Sequence, residues 1–121
     1  MKVIYYNPVD EKGTCVIRSI SKALNKDYDL IKKELGINYN DVSVFENYLF
    51  KNGFIVDNGF KDNLLKDINL KGINIVFAYI NNWYHMMCVI DNVIYDKSDF
   101  NDLKDMKVIK IYKLKWKEMK N

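Results

Sequence analysis

Cys15 and His85 are the two residues of this sequence whose types could combine in nucleophilic catalysis. Cys15 follows Gly13 and Thr14 at the predicted start of a helix, in the stretch GTCVIRSISKAL (13–24). A free thiol has a pKa of about 8.5, and the positive end of a helix together with a nearby imidazolium can lower it by several units. Gly13 lets the chain turn tightly, and backbone N–H groups at the helix start could help to hold an oxyanion. The position therefore favours a nucleophile, with a small buried core residue as the alternative.

A predicted hairpin brings a carboxylate to His85, the only histidine of the chain. Asp91 and Asn92 tolerate the positive φ of a two-residue turn, so that residue 90 faces residue 93 and the pairing continues outward. Because cross-strand partners project to the same face, His85 and Asp96 become diagonal neighbours and can share a hydrogen bond. Asp99 would point to the other face and is a weaker candidate. Asp96 is therefore the predicted orienting group, with a plain strand-end residue as the alternative.

The surrounding pattern predicts helices first and then a mostly antiparallel sheet. Thr14 and Asp27 are predicted to cap the first two helices, and Asp41 begins the third. The predicted helices cover about 15–24, 28–35 and 41–52, and the predicted strands cover 2–6, 54–57, 73–80, 83–90, 93–98 and 108–116. This order indicates one α+β domain over residues 1–121, with the N-terminal helices packed on the sheet. Cys15 can meet His85 only if the first helix begins beside the start of the 83–90 strand, which the sequence allows but does not require.

Three further segments carry structural expectations. The run 73–80 is nearly all apolar, which predicts a strand buried on both faces. The last predicted strand and the residues after it contain several lysines, which suit an exposed sheet edge; they are Lys110, Lys113, Lys115 and Lys117. Residues 57–72 show no clear period and are interpreted as a helical turn or a loop, with a place over the site as one option.

Composition narrows the classes of protein. The net charge is +3 and Arg18 is the only arginine among 19 basic residues, whereas nucleic-acid-binding proteins more often show arginine and a clustered basic patch. No window approaches the roughly 20 apolar residues of a membrane span, and the N-terminus has no secretory pattern. We therefore expect no membrane association and a cytoplasmic location. Two cysteines and one histidine make neither a disulfide framework nor a histidine-rich metal site, so we expect no metal and no cofactor.

Two stretches, NPVDEKGTCVIRSISKALNKDYDLIKKEL (7–35) and YHMMCVIDNVIYDKSD (84–99), resemble small papain-like cysteine peptidase domains found in bacteriophage and bacterial genomes. That pattern has an Asn-Pro, a Gly-x-Cys-x-x-Arg-x-(Ile/Leu) helix start and a later Gly/Tyr-His hairpin that ends in an aspartate. The resemblance implies a papain-like fold, with Cys15 as nucleophile, His85 as general base and Asp96 as the residue that orients the histidine. Asn7 lies roughly where papain-like enzymes place an amide side chain at the oxyanion. Thr14 stands where many relatives have aspartate.

Residues beside the candidate triad are expected to bind substrate. Trp83 and Tyr84 precede the histidine and, with Gly13 and Thr14, are predicted to line a groove; a core position is the alternative for the two aromatics. Arg18 lies one helical turn after the cysteine and is interpreted first as a partner of a helix-anchoring acid, and second as a substrate contact.

The leading functional hypothesis is a cysteine-dependent hydrolase that acts on a peptide or protein through a thioester intermediate. The alternative is a catalytically inactive papain-like scaffold that acts as a small phage or bacterial binding or inhibitory protein, because a fold does not fix a function. A basic nucleic-acid binder is the third hypothesis. Cys88 faces away from His85 in a strongly apolar strand and is predicted to pack in the core. The sequence leaves the oligomeric state open.

Overall fold

Helices precede most of the sheet in the computed structural model, which describes residues 1–97 and 101–115. Three helices are present in the described chain: α1 (Cys15–Leu24), α2 (Tyr28–Leu35) and α3 (Val42–Lys51). The six strands are β1 (Lys2–Tyr5), β2 (Phe54–Asp57), β3 (Ile73–Ile80), β4 (Trp83–Ile90), β5 (Val93–Asp96) and β6 (Lys107–Leu114). Short 3₁₀ turns occupy Leu65–Asp67 and Asn101–Asp105.

All six strands form one sheet in the order β1-β5-β4-β3-β6-β2. Every neighbouring pair is antiparallel except β1 and β5, which are parallel. The chain therefore has an α+β fold with a mostly antiparallel sheet, as predicted. No helix within the described residues is long and apolar enough to cross a bilayer.

The β4–β5 hairpin has the predicted turn and register. Asp91 and Asn92 both adopt positive φ, 47° and 65°, which matches the right-handed twist of the flanking strands. Ile90 pairs with Val93, and the ladder continues to the pair of residues 88 and 95, where it stops. The end of this ladder leaves the first half of β4 without β5 beside it.

Apolar side chains cover both faces of β3, as its sequence predicts. Ile75 belongs to the cluster under the helices, whereas Val76 belongs to a second cluster on the opposite face. The apolar stripe of α1 enters the first cluster through Val16, Ile17, Ile20 and Ala23. Residues Leu65, Ile68 and Leu70 pack in the second cluster. The 57–72 segment therefore covers the far face of the sheet, because its apolar side chains find their core there.

The prediction that the last strand is a sheet edge is wrong. β6 lies between β3 and β2, and the short strand β2 is the edge. Two of the lysines of β6 reach acceptors: Lys110 donates to Glu46 of α3, and Lys113 donates to the carbonyl of Lys71. The strand at 54–57 is predicted correctly, but so short a strand carries no signal of the strand it pairs with, so its place beside β6 was not predicted. Lys117 and residue 116 of the predicted strand lie outside the described residues.

Candidate active site

Cys15 is the first residue of α1 and is half-buried. Gly13 reaches φ 70° just before it, a left-handed conformation that glycine adopts without strain. The prediction that Thr14 caps the helix through its side chain is wrong. Thr14 occupies the cap position, but its buried hydroxyl donates to the carbonyl of Glu11 at 3.4 Å and accepts no helix amide. The first-turn N–H groups of α1 are therefore not occupied by this side chain.

The start of α1 lies against the part of β4 that β5 does not pair with. The Ser19 hydroxyl shares its one hydrogen between two carbonyl oxygens, that of Met86 at 3.0 Å and that of Cys15 at 2.6 Å. The backbone N–H of Met86 hydrogen-bonds the Cys15 sulfur. Buried strand amides need partners, and here the helix supplies them where the neighbouring strand ends. This packing brings the thiol to the beginning of β4, the arrangement on which a thiol–imidazole contact depends.

The structure brings Cys15, His85 and Asp96 together in one hydrogen-bonded chain. The Nε2 atom of His85 lies 2.6 Å from Oδ2 of Asp96. The ring also hydrogen-bonds the Cys15 thiol. His85 is 6% exposed and Asp96 is fully buried. The contact expected from the hairpin register is therefore present, although the strand pairing ends one residue before Asp96.

The Asp96 carboxylate accepts two further hydrogen bonds on its other oxygen. Nη2 of Arg18 and the backbone N–H of Lys97 each lie 2.9 Å from Oδ1. Arg18 is 2% exposed, so this ion pair is removed from water. Of the two interpretations weighed for Arg18, the structure shows the pairing with an acid. The identity of that acid could not be read from the sequence, since the partners are 78 residues apart.

Charge coupling between the thiol and the ring shifts both groups in the direction that favours an ion pair. Burial alone would raise the pKa of Cys15, but the hydrogen bond and positive charge of His85, the Met86 amide and the Arg18 charge together lower it. Burial alone would lower the pKa of His85, but its bonds to Asp96 and Cys15 raise it to about 9. Both shifts favour a thiolate beside an imidazolium over a neutral thiol beside a neutral ring.

An open pocket of about 200 Å³ lies over the sulfur. All four residues predicted to bind substrate line it: Gly13, Thr14, Trp83 and Tyr84. Trp83 stacks on the ring of His85 with centroids 4.8 Å apart. Arg18 and Lys97 complete the wall together with Cys15 and His85. Both aromatic side chains are exposed, 39% for Trp83 and 61% for Tyr84, so neither is a core residue.

Asn7 is not among the described residues that line this pocket. It follows β1 and is half-buried, and its Oδ1 has no hydrogen-bond partner within the described residues. Its predicted place at the oxyanion therefore stays a prediction without a contact to support it. Asp99, the weaker candidate for the orienting carboxylate, lies outside the described residues.

Sequence reasoning missed two contributors to the site. The Met86 amide acts through the backbone, and a strand amide gives no residue-type signal. Lys97 follows the orienting aspartate directly, so its position next to the pocket could have been inferred from Asp96. No group of three or more metal-binding side chains is present in the part of the chain that the structure describes.

Comparison with models of protein families, with curated proteins and with solved structures finds no match for this chain. The chemistry of the site is therefore what points to a function.

Proposed function

We propose that this protein is a cysteine-dependent hydrolase that cleaves peptide or isopeptide bonds through Cys15, His85 and Asp96. The observation that carries the proposal is the continuous thiol–imidazole–carboxylate chain beside an open pocket. Such a chain activates a thiol and fixes the tautomer of the imidazole, which are the two requirements of thiol acyl transfer.

In the first half-reaction the Cys15 thiolate attacks the substrate carbonyl carbon, and the carbonyl electron pair moves onto the oxygen. When the tetrahedral intermediate collapses, the C–N bond breaks and His85 donates its proton to the departing amine. A thioester on Cys15 and a neutral imidazole remain. Asp96 accepts the hydrogen bond from Nε2–H of the ring and so keeps the ring in its orientation.

In the second half-reaction a water molecule attacks the thioester carbonyl while His85 accepts one of its protons. Collapse of this intermediate breaks the C–S bond and releases a carboxylic acid and the Cys15 thiolate. The imidazolium is restored, so the resting ion pair is regenerated. The protons and bonds balance with water as the only co-reactant, and no metal or cofactor enters the cycle.

The start of α1 supports stabilisation of the oxyanion in both steps. Backbone N–H groups of a helix's first turn lack intrahelical partners and carry the positive end of the helix dipole. The N–H of Cys15 itself is one of them, and the Thr14 hydroxyl does not occupy them. This is the place where a negatively charged oxygen bonded to the attacked carbon would lie.

A papain-like fold is part of the proposal. The nucleophile begins a helix that packs on an antiparallel sheet, and the histidine and aspartate lie on consecutive strands of that sheet. The resemblance of the sequence to papain-like peptidase domains implies this same order. A cytoplasmic location agrees with the chemistry, because reducing conditions keep both free cysteines as thiols.

The test is acylation and turnover with p-nitrophenyl acetate, followed by a library of internally quenched peptides. We expect a burst of nitrophenol, an acetyl group on Cys15 by mass spectrometry, and steady release of acetate. Cys15→Ser should abolish all three, and Cys88→Ser should change none. Stoichiometric acetylation without deacylation, and no cleavage of any peptide, would instead support the inactive binding scaffold.

A further inference from the structure

We propose that Arg18 is a positioning residue of this site, which acts through Asp96 to hold the imidazole against the Cys15 sulfur. The inference rests on the proposed function, and it assigns to a buried arginine a role that stability alone does not explain.

The Asp96 carboxylate divides its two oxygens between two cations. Oδ2 bonds the ring of His85 at 2.6 Å, and Oδ1 bonds Nη2 of Arg18 at 2.9 Å. Oδ1 also accepts the backbone N–H of Lys97 at 2.9 Å, so the guanidinium is the side-chain contact that helps to fix this oxygen. With both oxygens engaged, the carboxylate can rotate only if these bonds break. The direction of the His85 ring is therefore set by the guanidinium as well as by the carboxylate.

Arg18 and Cys15 lie three residues apart, one turn along α1. The contacts thus close a ring that runs from the helix through Cys15, His85 and Asp96 and back to the helix at Arg18. The charged and titratable groups that meet here come from α1 (Cys15, Arg18), β4 (His85) and β5 (Asp96), with Lys97 next along the chain. A displacement of α1 would therefore move the nucleophile and the support of its base together.

The energetics argue against a purely structural ion pair. Removing two charges from water is costly, and buried pairs are often replaced by apolar residues without loss of stability. Nε of Arg18 is also buried and has no hydrogen-bond partner within the described residues, which adds to the cost. What the arginine does provide is a fixed cation on the far side of the carboxylate that orients His85.

The experiment measures the thiolate pKa of Cys15 from the pH dependence of iodoacetamide alkylation in the full chain. Arg18→Met removes the charge and keeps the stem, and we expect the thiolate pKa to rise by about one unit, with roughly tenfold slower alkylation well below it. Arg18→Lys keeps a charge but lacks the guanidinium fork and should lie between wild type and Arg18→Met.

Ser21→Ala is the matched control. Ser21 is also a buried polar residue of α1, bonded to the hydroxyl of Tyr6 and the carbonyl of Lys26, away from the pocket. Ser21→Ala should lower the melting temperature while leaving the pKa of the Cys15 thiol at its wild-type value. The proposal is overturned if the Arg18 variants behave in the same way, with lower stability and an unchanged pKa.

A charge-balanced variant covers the case in which Arg18→Met does not fold. This variant is Asp96→Asn/Arg18→Met, and it is compared with Asp96→Asn. Because the arginine acts mainly through the carboxylate, the two thiolate pKa values should differ by clearly less than about one unit, the remainder being the direct effect of the Arg18 charge on the sulfur; a difference of a full unit contradicts the proposal. The alkylation readout needs no turnover. If the Arg18 variants shift the Cys15 pKa but the wild-type protein hydrolyses no substrate, the proposed function alone is contradicted. If the wild-type protein hydrolyses substrate but the Arg18 variants leave the Cys15 pKa unchanged, the positioning role alone is contradicted.

Discussion

The two cysteines of this chain occupy opposite kinds of surroundings. Cys15 begins a helix, is half-buried beside a pocket, and has its pKa lowered by the imidazole, a backbone amide and a buried guanidinium. Cys88 lies on β4 three residues after His85, is fully buried, and has its pKa raised to about 12 by burial. Both residues carry the same thiol group, so the difference between their pKa values comes from the groups that surround each sulfur.

Burial by itself does not determine how reactive each thiol is. Burial alone disfavours a thiolate at both positions. Only Cys15 has hydrogen-bond donors and cations placed to overcome that effect. Hydrogen bonds and charges interact more strongly in a low-dielectric site than in water. A partly buried thiol with suitably placed donors is therefore more readily activated than a fully exposed one.

The alkylation rates of the two thiols should differ most. At pH 6 we expect iodoacetamide to modify Cys15 at least about 1,000-fold faster than Cys88, because only the thiolate of an accessible sulfur reacts. Peptide mapping by mass spectrometry over a time course measures both rates in one sample. Comparable rates at the two positions would remove the basis of the proposed chemistry.

Removal of the His85 imidazole should bring the alkylation rate of Cys15 closer to that of Cys88. In His85→Ala the main source of positive charge is lost, and we expect alkylation of Cys15 at pH 6 to slow by about 100-fold. Ile37→Ala, at an exposed side chain that does not line the pocket, is the control and should have little effect on that rate. A His85→Ala variant with the wild-type rate would show that the helix start alone activates the sulfur.

The pH profile of hydrolysis should have two limbs, because the site needs a thiolate and an imidazolium together. The rate rises as the pH passes upward through the lowered pKa of Cys15, and it falls as the pH passes upward through about 9, where His85 loses its proton. Alkylation needs no proton donor and should not fall there.

In Asp96→Asn the bond that raises the His85 pKa is weakened. The falling limb should then move to lower pH by about one unit or more. Rates of p-nitrophenyl acetate turnover across the pH range measure this shift. A falling limb that stays at its wild-type position would mean that Asp96 does not act on the ring.

Cys88 should contribute more to the stability of the fold than Cys15, although Cys15 is the more reactive thiol. Cys88→Ala leaves a small void in the first core cluster and should lower the free energy of unfolding by about 1–2 kcal/mol. Cys15→Ala lies at the pocket surface and should cost less. Urea unfolding of both variants tests this, and a larger loss at Cys15 would contradict the assignment of Cys88 to the core.

The parts of the fold that depend on local signals were predictable. The Asp91-Asn92 turn set the register of the hairpin, and with it the contact between His85 and Asp96. The helix start at Cys15 followed from apolar spacing. These features need only a few neighbouring residues, so one sequence is enough to find them.

The contacts that depend on distant partners were not predictable. The parallel pairing of β1 with β5 and the cover of β6 by β2 join short strands with little pattern of their own. The Thr14 hydroxyl turned to Glu11 because a local carbonyl competes with a helix cap. The Met86 amide is available to Cys15 because the pairing of β5 with β4 ends before Met86. No residue type in the sequence indicates where such a strand pairing ends.

Among the described strands, β1 lies at one end of the sheet and pairs with β5 alone. Tyr5 pairs with Asp96, and the next residue, Tyr6, donates its backbone N–H to the carbonyl of Asp96 at 2.8 Å. The main chain of the orienting carboxylate is thus braced by the first six residues. A fused peptide or a competing strand that displaced them would reach the triad through the backbone and leave every side chain of the pocket intact.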